Sequence, residues 1–334
     1  MIKVGVIGTT FGRDVATCFN SFRQSKVVAL GGRDPQKTET IASELGVEKP
    51  YSNWKELIDN SEIDLVAIAT PNFLHREMFD YAVSKNKHIL IEKPGDIKPE
   101  GIKKMAESVK NYKKFAFVNH ATRFHPVVQY MKKLIKNKSL GYVSAIRITA
   151  YSNWFSDPTT KYFWTHDKSL GGGYTMVFGV HLFDLGRYLL NQKPLSGSII
   201  KSVIPDEIIR PQPTSEAQIT AQYKFDKGAI LQLFANAYTQ GYKNLEIQVF
   251  GNKGILLYDD INGLQISKSN KQSLKKVHIK DRLDYIQTGR SLLTKSLKYL
   301  VEGYLKLLNG NKVEMDKFCT LETACENLKC LFWE

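Results

Sequence analysis

Lys93 follows an apolar run without a break, in the order Ile91, Glu92, Lys93, Pro94. A lysine in that place has chemistry open to it. Its ammonium can donate to a substrate hydroxyl or carbonyl, and partial desolvation lowers its pKa and eases proton exchange. The plainer alternative is a surface lysine that caps a strand end. Upstream, Ala69, Thr70, Pro71, Asn72, Phe73, Leu74 and His75 close another apolar run. There Asn72 and His75 are either ligand contacts or a turn and helix-entry pair. Downstream, Gly171, Gly172 and Gly173 lead into a helical stretch that carries His181 and, three residues on, Asp184. That spacing puts both side chains on one helix face, so the carboxylate either orients the imidazole or binds substrate beside it. A histidine among Val and Phe is equally a satisfied core residue.

These side chains need elements to aim them, and the chain begins with one. Residues 3–8 are a strand-like run ending in Gly8, and Thr9, Thr10, Phe11, Gly12 and Arg13 open a helical stretch. A buried strand followed by a glycine-punctuated turn presents backbone N–H groups and a helix N-terminus to a pyrophosphate. The segment departs from G-x-G-x-x-G: Thr10 stands at the second glycine, and the last glycine comes one residue early. Further apolar runs at 27–30, 65–69, 88–91 and 115–118 alternate with helical patterns near 12–23, 35–46, 53–60, 74–85 and 98–112. Strands that alternate with crossover helices require a doubly wound parallel sheet. In such a sheet the ligand lies beyond the carboxyl ends of the strands, where the Thr70 and Lys93 segments both fall.

The texture changes after residue 120. A helix over 125–137 is followed by strand-like segments at 142–151, 218–225, 229–237, 245–250 and 254–258, several with period-two alternation and separated by glycine turns. These predict a largely antiparallel sheet, interrupted by a helix over 174–191 and followed by helices after 283. The fold class is therefore α/β: a Rossmann-type domain over 1–120 and an α+β domain over 121–334.

A chain of 334 residues, 43% hydrophobic and 11% aromatic, has enough apolar matter for two cores and is not disordered. Its formal charge of +14 raises nucleic acid or an anionic surface as partners, yet the lysines are scattered along helix faces and loops. A solvated surface accounts for them, so neither nucleic acid nor membrane is expected. The four cysteines, Cys18, Cys319, Cys325 and Cys330, show no C-x-x-C pair and no Cys/His metal spacing, so no metal is expected. The chain opens directly on a core strand, and no apolar run reaches the ~18 residues of a membrane helix. A cytoplasmic protein is the expectation.

Taken in order, Thr70 to His75, the Glu92-Lys93-Pro94 motif, Arg123 and Phe124 with Pro126, Trp164, and the triple glycine leading to Gly179, His181 and Asp184 resemble the Gfo/Idh/MocA family of NAD(P)-dependent sugar and inositol oxidoreductases. The resemblance covers nearly the whole chain. It implies a C-terminal domain with a large, open sheet that binds a sugar or polyol on one face and often a second subunit on the other, as a homodimer or homotetramer. It also implies catalysis by Lys93, hydrogen-bonded to the reacting hydroxyl, and by His181 as general base. Gly8, Thr9, Thr10, Phe11, Gly12, Arg33, Thr70, Asn72, His75, Glu92, Lys93 and Arg123 become cofactor residues, and Tyr162, Trp164 and Asp184 substrate residues.

Two departures stand out. Thr10 adds a side chain where the backbone usually nears the pyrophosphate. Val177 occupies the place, four residues before His181, where many family enzymes carry an aspartate, and an apolar residue cannot stabilise an imidazolium. A non-catalytic, dinucleotide-binding regulatory protein, similar to the galactose-pathway repressor branch, is accordingly the second reading. After the second strand come Gly31, Gly32, Arg33 and Asp34. Glycine replaces the acidic residue that holds the ribose of NAD, and Arg33 can meet a 2′-phosphate, so NADP is preferred over NAD. Asp34 keeps NAD open, its other role being to cap the helix before Pro35.

Overall fold

The computed structural model describes residues 1–204, 208–268, 273–280, 282–283 and 292–333. The chain forms two compact units, one of residues 1–121 with 296–326 and one of 122–295 with 327–334.

In the first unit, strands β1 (Ile2–Ile7), β2 (Ser25–Gly31), β3 (Lys49–Tyr51), β4 (Leu65–Ile68), β5 (His88–Glu92) and β6 (Ala116–Asn119) make one parallel sheet in the order β3-β2-β1-β4-β5-β6. This is the doubly wound dinucleotide order, which reverses direction between β1 and β4. β4 is buried along its whole length, as an apolar run without alternation demands. The crossovers carry α1 (Phe11–Asn20), α2 (Pro35–Leu45), α3 (Trp54–Asp59), α4 (His75–Ser84) and α5 (Pro99–Ser108). Proline stands in the first turn of α2 and of α5, where no N–H partner is lost. Several surface lysines are paired locally, among them Lys26 with Glu48 at 2.7 Å and Lys85 with Asp59 at 2.6 Å.

The sequence reading placed everything after 120 in the second domain. From Ser296, within helix α8 (Leu292–Leu308), the chain up to Glu326 belongs to the first unit. The cause is a packing debt at the β5–β6 end of the sheet. The Tyr304 hydroxyl donates to the carbonyls of Ile89 (3.0 Å) and Phe115 (2.9 Å), and Phe318 stacks on Phe117 at 4.7 Å. The short strand β3, which contains Pro50, also escaped the sequence reading. An edge strand tolerates proline because its outer N–H groups need no partner.

In the second unit, α6 (Pro126–Lys136) precedes β7 (Val143–Tyr151), and α7 (Val180–Leu190) precedes β8 (Pro194–Ser202), β9 (Gln218–Phe225), β10 (Ile230–Asn236), β11 (Asn244–Gly251), β12 (Gly254–Asp259), β13 (Gly263–Lys268) and β14 (Lys275–Lys276). They form an eight-stranded sheet in the order β14-β13-β12-β11-β7-β10-β9-β8. All neighbours are antiparallel except β7 and β10. Along β9 the buried side chains Ile219, Ala221, Tyr223 and Phe225 alternate with exposed Thr220, Gln222 and Lys224. One face is core and the other is open. Helix α7 lies on the core face, and two glycines let it approach: a Cβ on Gly179 would stand 2.6 Å from Ile219, and one on Gly186 2.4 Å from Leu231. No helix among the described residues is long and apolar enough to cross a membrane.

Candidate active site

At its reversal point the first unit carries the glycine turn between β1 and α1. Gly8 ends β1 with φ +122°, and a Cβ there would lie 2.3 Å from the Ala69 carbonyl oxygen, so only glycine fits. Its N–H donates to Gly31 O at 2.8 Å, and Ala69 N–H donates to Ile7 O at 2.8 Å, which stitches the loop between β2, β1 and β4. Thr9, Thr10 and Phe11 lead into α1, whose N-cap Thr10 makes no side-chain capping bond and is exposed. Gly12 is buried, with its would-be Cβ 3.2 Å from Val6, so helix and strand pack closely. A helix start without a side-chain cap, beside a glycine turn, is the kind of place where backbone N–H groups can meet a pyrophosphate.

At the end of β2, a Cβ on Gly32 would collide with Thr38 Oγ1 at 2.3 Å and with Thr9 Cγ2 at 2.5 Å. No side chain of any charge fits there. Asp34 caps α2, its Oδ1 accepting from Lys37 N–H at 3.1 Å, while Arg33 is exposed.

Lys93 directly follows β5, its peptide bond to Pro94 is cis, and its side chain is half-buried. Desolvation pushes its pKa down, opposed by the neighbouring Glu92 carboxylate. Burial pushes the Glu92 carboxyl up to about 7, against the pull of Lys93 and of a short hydrogen bond donated by Asn119 Nδ2. Glu92 and Asn119 face each other in the β5–β6 register. The end of this strand therefore carries an ammonium and a carboxyl whose proton affinities lie closer together than in water. Proton exchange is eased there.

Asn72 and His75 stand at a turn and a helix entry. Asn72 is buried and opens a short 3-10 turn, and His75 begins α4 with no exposed surface. Its Nε2 lies 2.9 Å from the Thr70 carbonyl, which can only accept, so this nitrogen carries the proton. Burial pulls the imidazole pKa down to about 4 and keeps the ring neutral. Thr70 itself remains half-exposed.

In the second unit, the triple glycine leads through Tyr174 into a π-helical turn, Thr175–Gly179, that runs on as α7. The helix expected over 174–191 is thus present, with wider winding at its start. Such turns are rare and frequently mark functional sites. His181 lies in the first turn of α7, half-exposed, with Phe178 edge-on to its ring at 6.3 Å. Val177 is half-exposed four residues earlier.

Asp184 takes part in a buried ion pair. It is wholly buried, receiving Arg123 Nε on Oδ2 at 2.8 Å, Arg123 Nη2 on Oδ1 at 2.5 Å and Asn327 Nδ2 on Oδ1 at 2.6 Å. Arg123, expected at the cofactor, is 4% exposed and engaged in this pair. The sequence reading, which put Arg123 at the cofactor and Asp184 at the substrate, did not anticipate this pair, in which a fork-shaped guanidinium meets a carboxylate. Tyr162 and Trp164 are half-exposed in the segment before the triple glycine, Tyr162 leaning on the His166 ring at 5.6 Å. Sequence reading missed Glu216, whose Oε1 accepts from Thr175 N–H at 3.0 Å, and also Asn119. Neither sits in a motif.

Residues 2–120 match the family model described as oxidoreductase family, NAD-binding Rossmann fold, and residues 128–257 match the GFO/IDH/MocA C-terminal domain. Among relatives, levoglucosan dehydrogenase of Pseudarthrobacter phenanthrenivorans is 27% identical over 272 residues, covering 74% of this chain and 68% of that protein. Myo-inositol 2-dehydrogenase of Thermotoga maritima is 23% identical over 273 residues, 81% of this chain and 79% of that one. The solved levoglucosan dehydrogenase in complex with NADH and levoglucosan shares the fold, with a TM-score of 0.86 at 22% identity over 98% of this chain and 94% of that one.

Proposed function

The chain belongs to the Gfo/Idh/MocA oxidoreductases, and from that membership we propose that it moves a hydride between a nicotinamide dinucleotide and a hydroxyl-bearing carbon of a sugar, inositol or related polyol. The observation that carries the reading is Lys93: a half-buried ammonium at the carboxyl end of β5, its pKa lowered by burial, on a sheet whose reversal point carries a glycine turn. The dinucleotide, when bound, supplies the hydride acceptor or donor. Lys93 donates a hydrogen bond to the reacting oxygen and stabilises the charge that grows on it. His181 takes the hydroxyl proton in the oxidative direction and returns it in the reductive one, so substrate CH–OH and C=O interconvert with balanced atoms.

The absence of an acidic side chain at position 32 and the exposed guanidinium of Arg33 support NADP as the preferred cofactor. The open sheet face supports a second copy of the chain as partner. Ile200 is 72% exposed there, and a groove of about 390 Å³ runs past Ile200, Thr220, Gln232 and Phe234. Val177 favours a second reading, in which the dinucleotide is a ligand and no turnover occurs.

The deciding experiment follows cofactor fluorescence on mixing with NADPH or NADH, then turnover across a panel of sugars, inositols and their keto forms. Lys93→Met is expected to lose about 100- to 10,000-fold in rate while dinucleotide affinity holds. Binding without turnover across the panel supports the regulatory reading. Parent-level turnover in both Lys93→Met and His181→Ala removes the assignment of the site.

A further inference from the structure

The helix that carries His181 starts on a single residue from outside it, Glu216. Two successive backbone N–H groups at that start end on one residue: Tyr174 N–H donates to the Glu216 carbonyl at 2.8 Å, and Thr175 N–H donates to Glu216 Oε1 at 3.0 Å. Glu216 lies just before β9 and is 8% exposed. The glycine before this pair is shaped around the carboxylate. Gly173 has φ +105°, and a Cβ on it would stand 2.5 Å from both Glu216 oxygens. The remaining glycines are tied nearby, Gly173 N–H to Thr165 O at 2.8 Å and Gly172 N–H to Asp167 O at 2.9 Å.

A helix start exposes N–H groups and partial positive charge, and a buried carboxylate there satisfies both. Here the first turn is π-wound, a geometry with no intrinsic preference to hold it, so the external anchor decides where the winding begins. Shifting that start by one residue turns everything downstream, His181 included, by about 100°.

We propose that Glu216 is a positioning residue for His181, its carboxylate fixing the register of the π-turn through the Thr175 N–H while its carbonyl holds the Tyr174 N–H. The catalytic consequence rests on the function proposed above; the structural one does not. Glu216→Gln keeps the side-chain acceptor and preserves the register, whereas Glu216→Ala removes the Thr175 anchor and leaves only the backbone bond to Tyr174, and Gly173→Ala drives the carboxylate aside.

The test reads His181 directly, from the imidazole Cε1–H resonance assigned by its loss in His181→Gln. The expected result is a displaced His181 resonance in Glu216→Ala and in Gly173→Ala, with the parent position restored in Glu216→Gln. Where a substrate is in hand, kcat falls roughly tenfold or more in the alanine variants with KM for the dinucleotide unchanged, again rescued by glutamine. If Glu216→Ala does not fold, Gly173→Ala carries the comparison. A His181 resonance at the parent position in the alanine variants overturns the proposal, as does a glutamine variant as displaced as alanine. A displaced resonance together with parent activity in His181→Ala leaves the register argument standing and removes the function.

Discussion

Replacing Asp184 with alanine separates the buried ion pair from the role its motif suggests. In the folded chain Asp184 has no exposed surface, Arg123 has 4%, and the carboxylate receives two hydrogen bonds from the guanidinium and one from Asn327. Truncation leaves the guanidinium charged and shut away from water, since arginine does not deprotonate in a protein. Breaking one partner of such a pair costs about 3–5 kcal/mol, a large share of the roughly 5–15 kcal/mol that holds a domain together. For a unit of this size that corresponds to a fall in Tm of roughly 6–20 °C. Thermal unfolding followed by circular dichroism at pH 7 measures it. The double variant Arg123→Met with Asp184→Leu removes both charges at similar volume and is expected to recover most of the loss. A loss below about 1 kcal/mol in Asp184→Ala, accompanied by a raised substrate KM, refutes the reasoning and returns Asp184 to the substrate.

Three further outcomes follow from other parts of the structure. His75 stays neutral down to about pH 4 in the folded chain, while an unfolded imidazole protonates near 6.5. Between those values the unfolded chain binds more protons, so stability rises with pH across the window and is lost as pH falls through it, by about 3 kcal/mol at most. The urea midpoint of His75→Gln should vary less over pH 4–6.5 than the parent's, and parallel curves count against the assignment. Titration calorimetry should show NADP bound roughly tenfold or more tightly than NAD, with the gap shrinking in Arg33→Ala, and equal affinities in the parent sink the preference. Light scattering at micromolar concentration should report an oligomer that Ile200→Lys or Phe234→Lys weakens; a monomeric parent removes the proposed partner.

The parallel sheet was readable because its strands are covered on both sides and its glycine and proline punctuation is local. What escaped the reading were edges, the strand β13 next to one of them, and long-range debts. β3 and β14 are very short, and β8 is nine residues long but mixes Ser, Gly, Ile and Lys with little alternation, as an edge strand half in water allows. The return of residues 296–326 to the first unit depends on Tyr304 meeting two carbonyls more than 180 positions earlier, which no local pattern encodes.

The site divides along the same line. Gly8, Lys93 and His181 stand out in the sequence because a strand end or a glycine run marks each. For Asp184, three-residue spacing shows that two side chains share a helix face, but not that a guanidinium 61 positions away satisfies the carboxylate. Val177 tests the limits of counting further. Four residues are slightly more than one α-turn, and slightly less than one turn where bonds run from i to i+5. The π-turn therefore keeps Val177 and His181 on a common face, both half-exposed. An apolar residue there leaves no carboxylate at that position to stabilise an imidazolium, while the buried carboxylate that does touch this helix, Glu216, is engaged at its backbone. Counting along the chain thus puts Val177 beside His181, but says nothing of the bonds from another element on which the helix start rests.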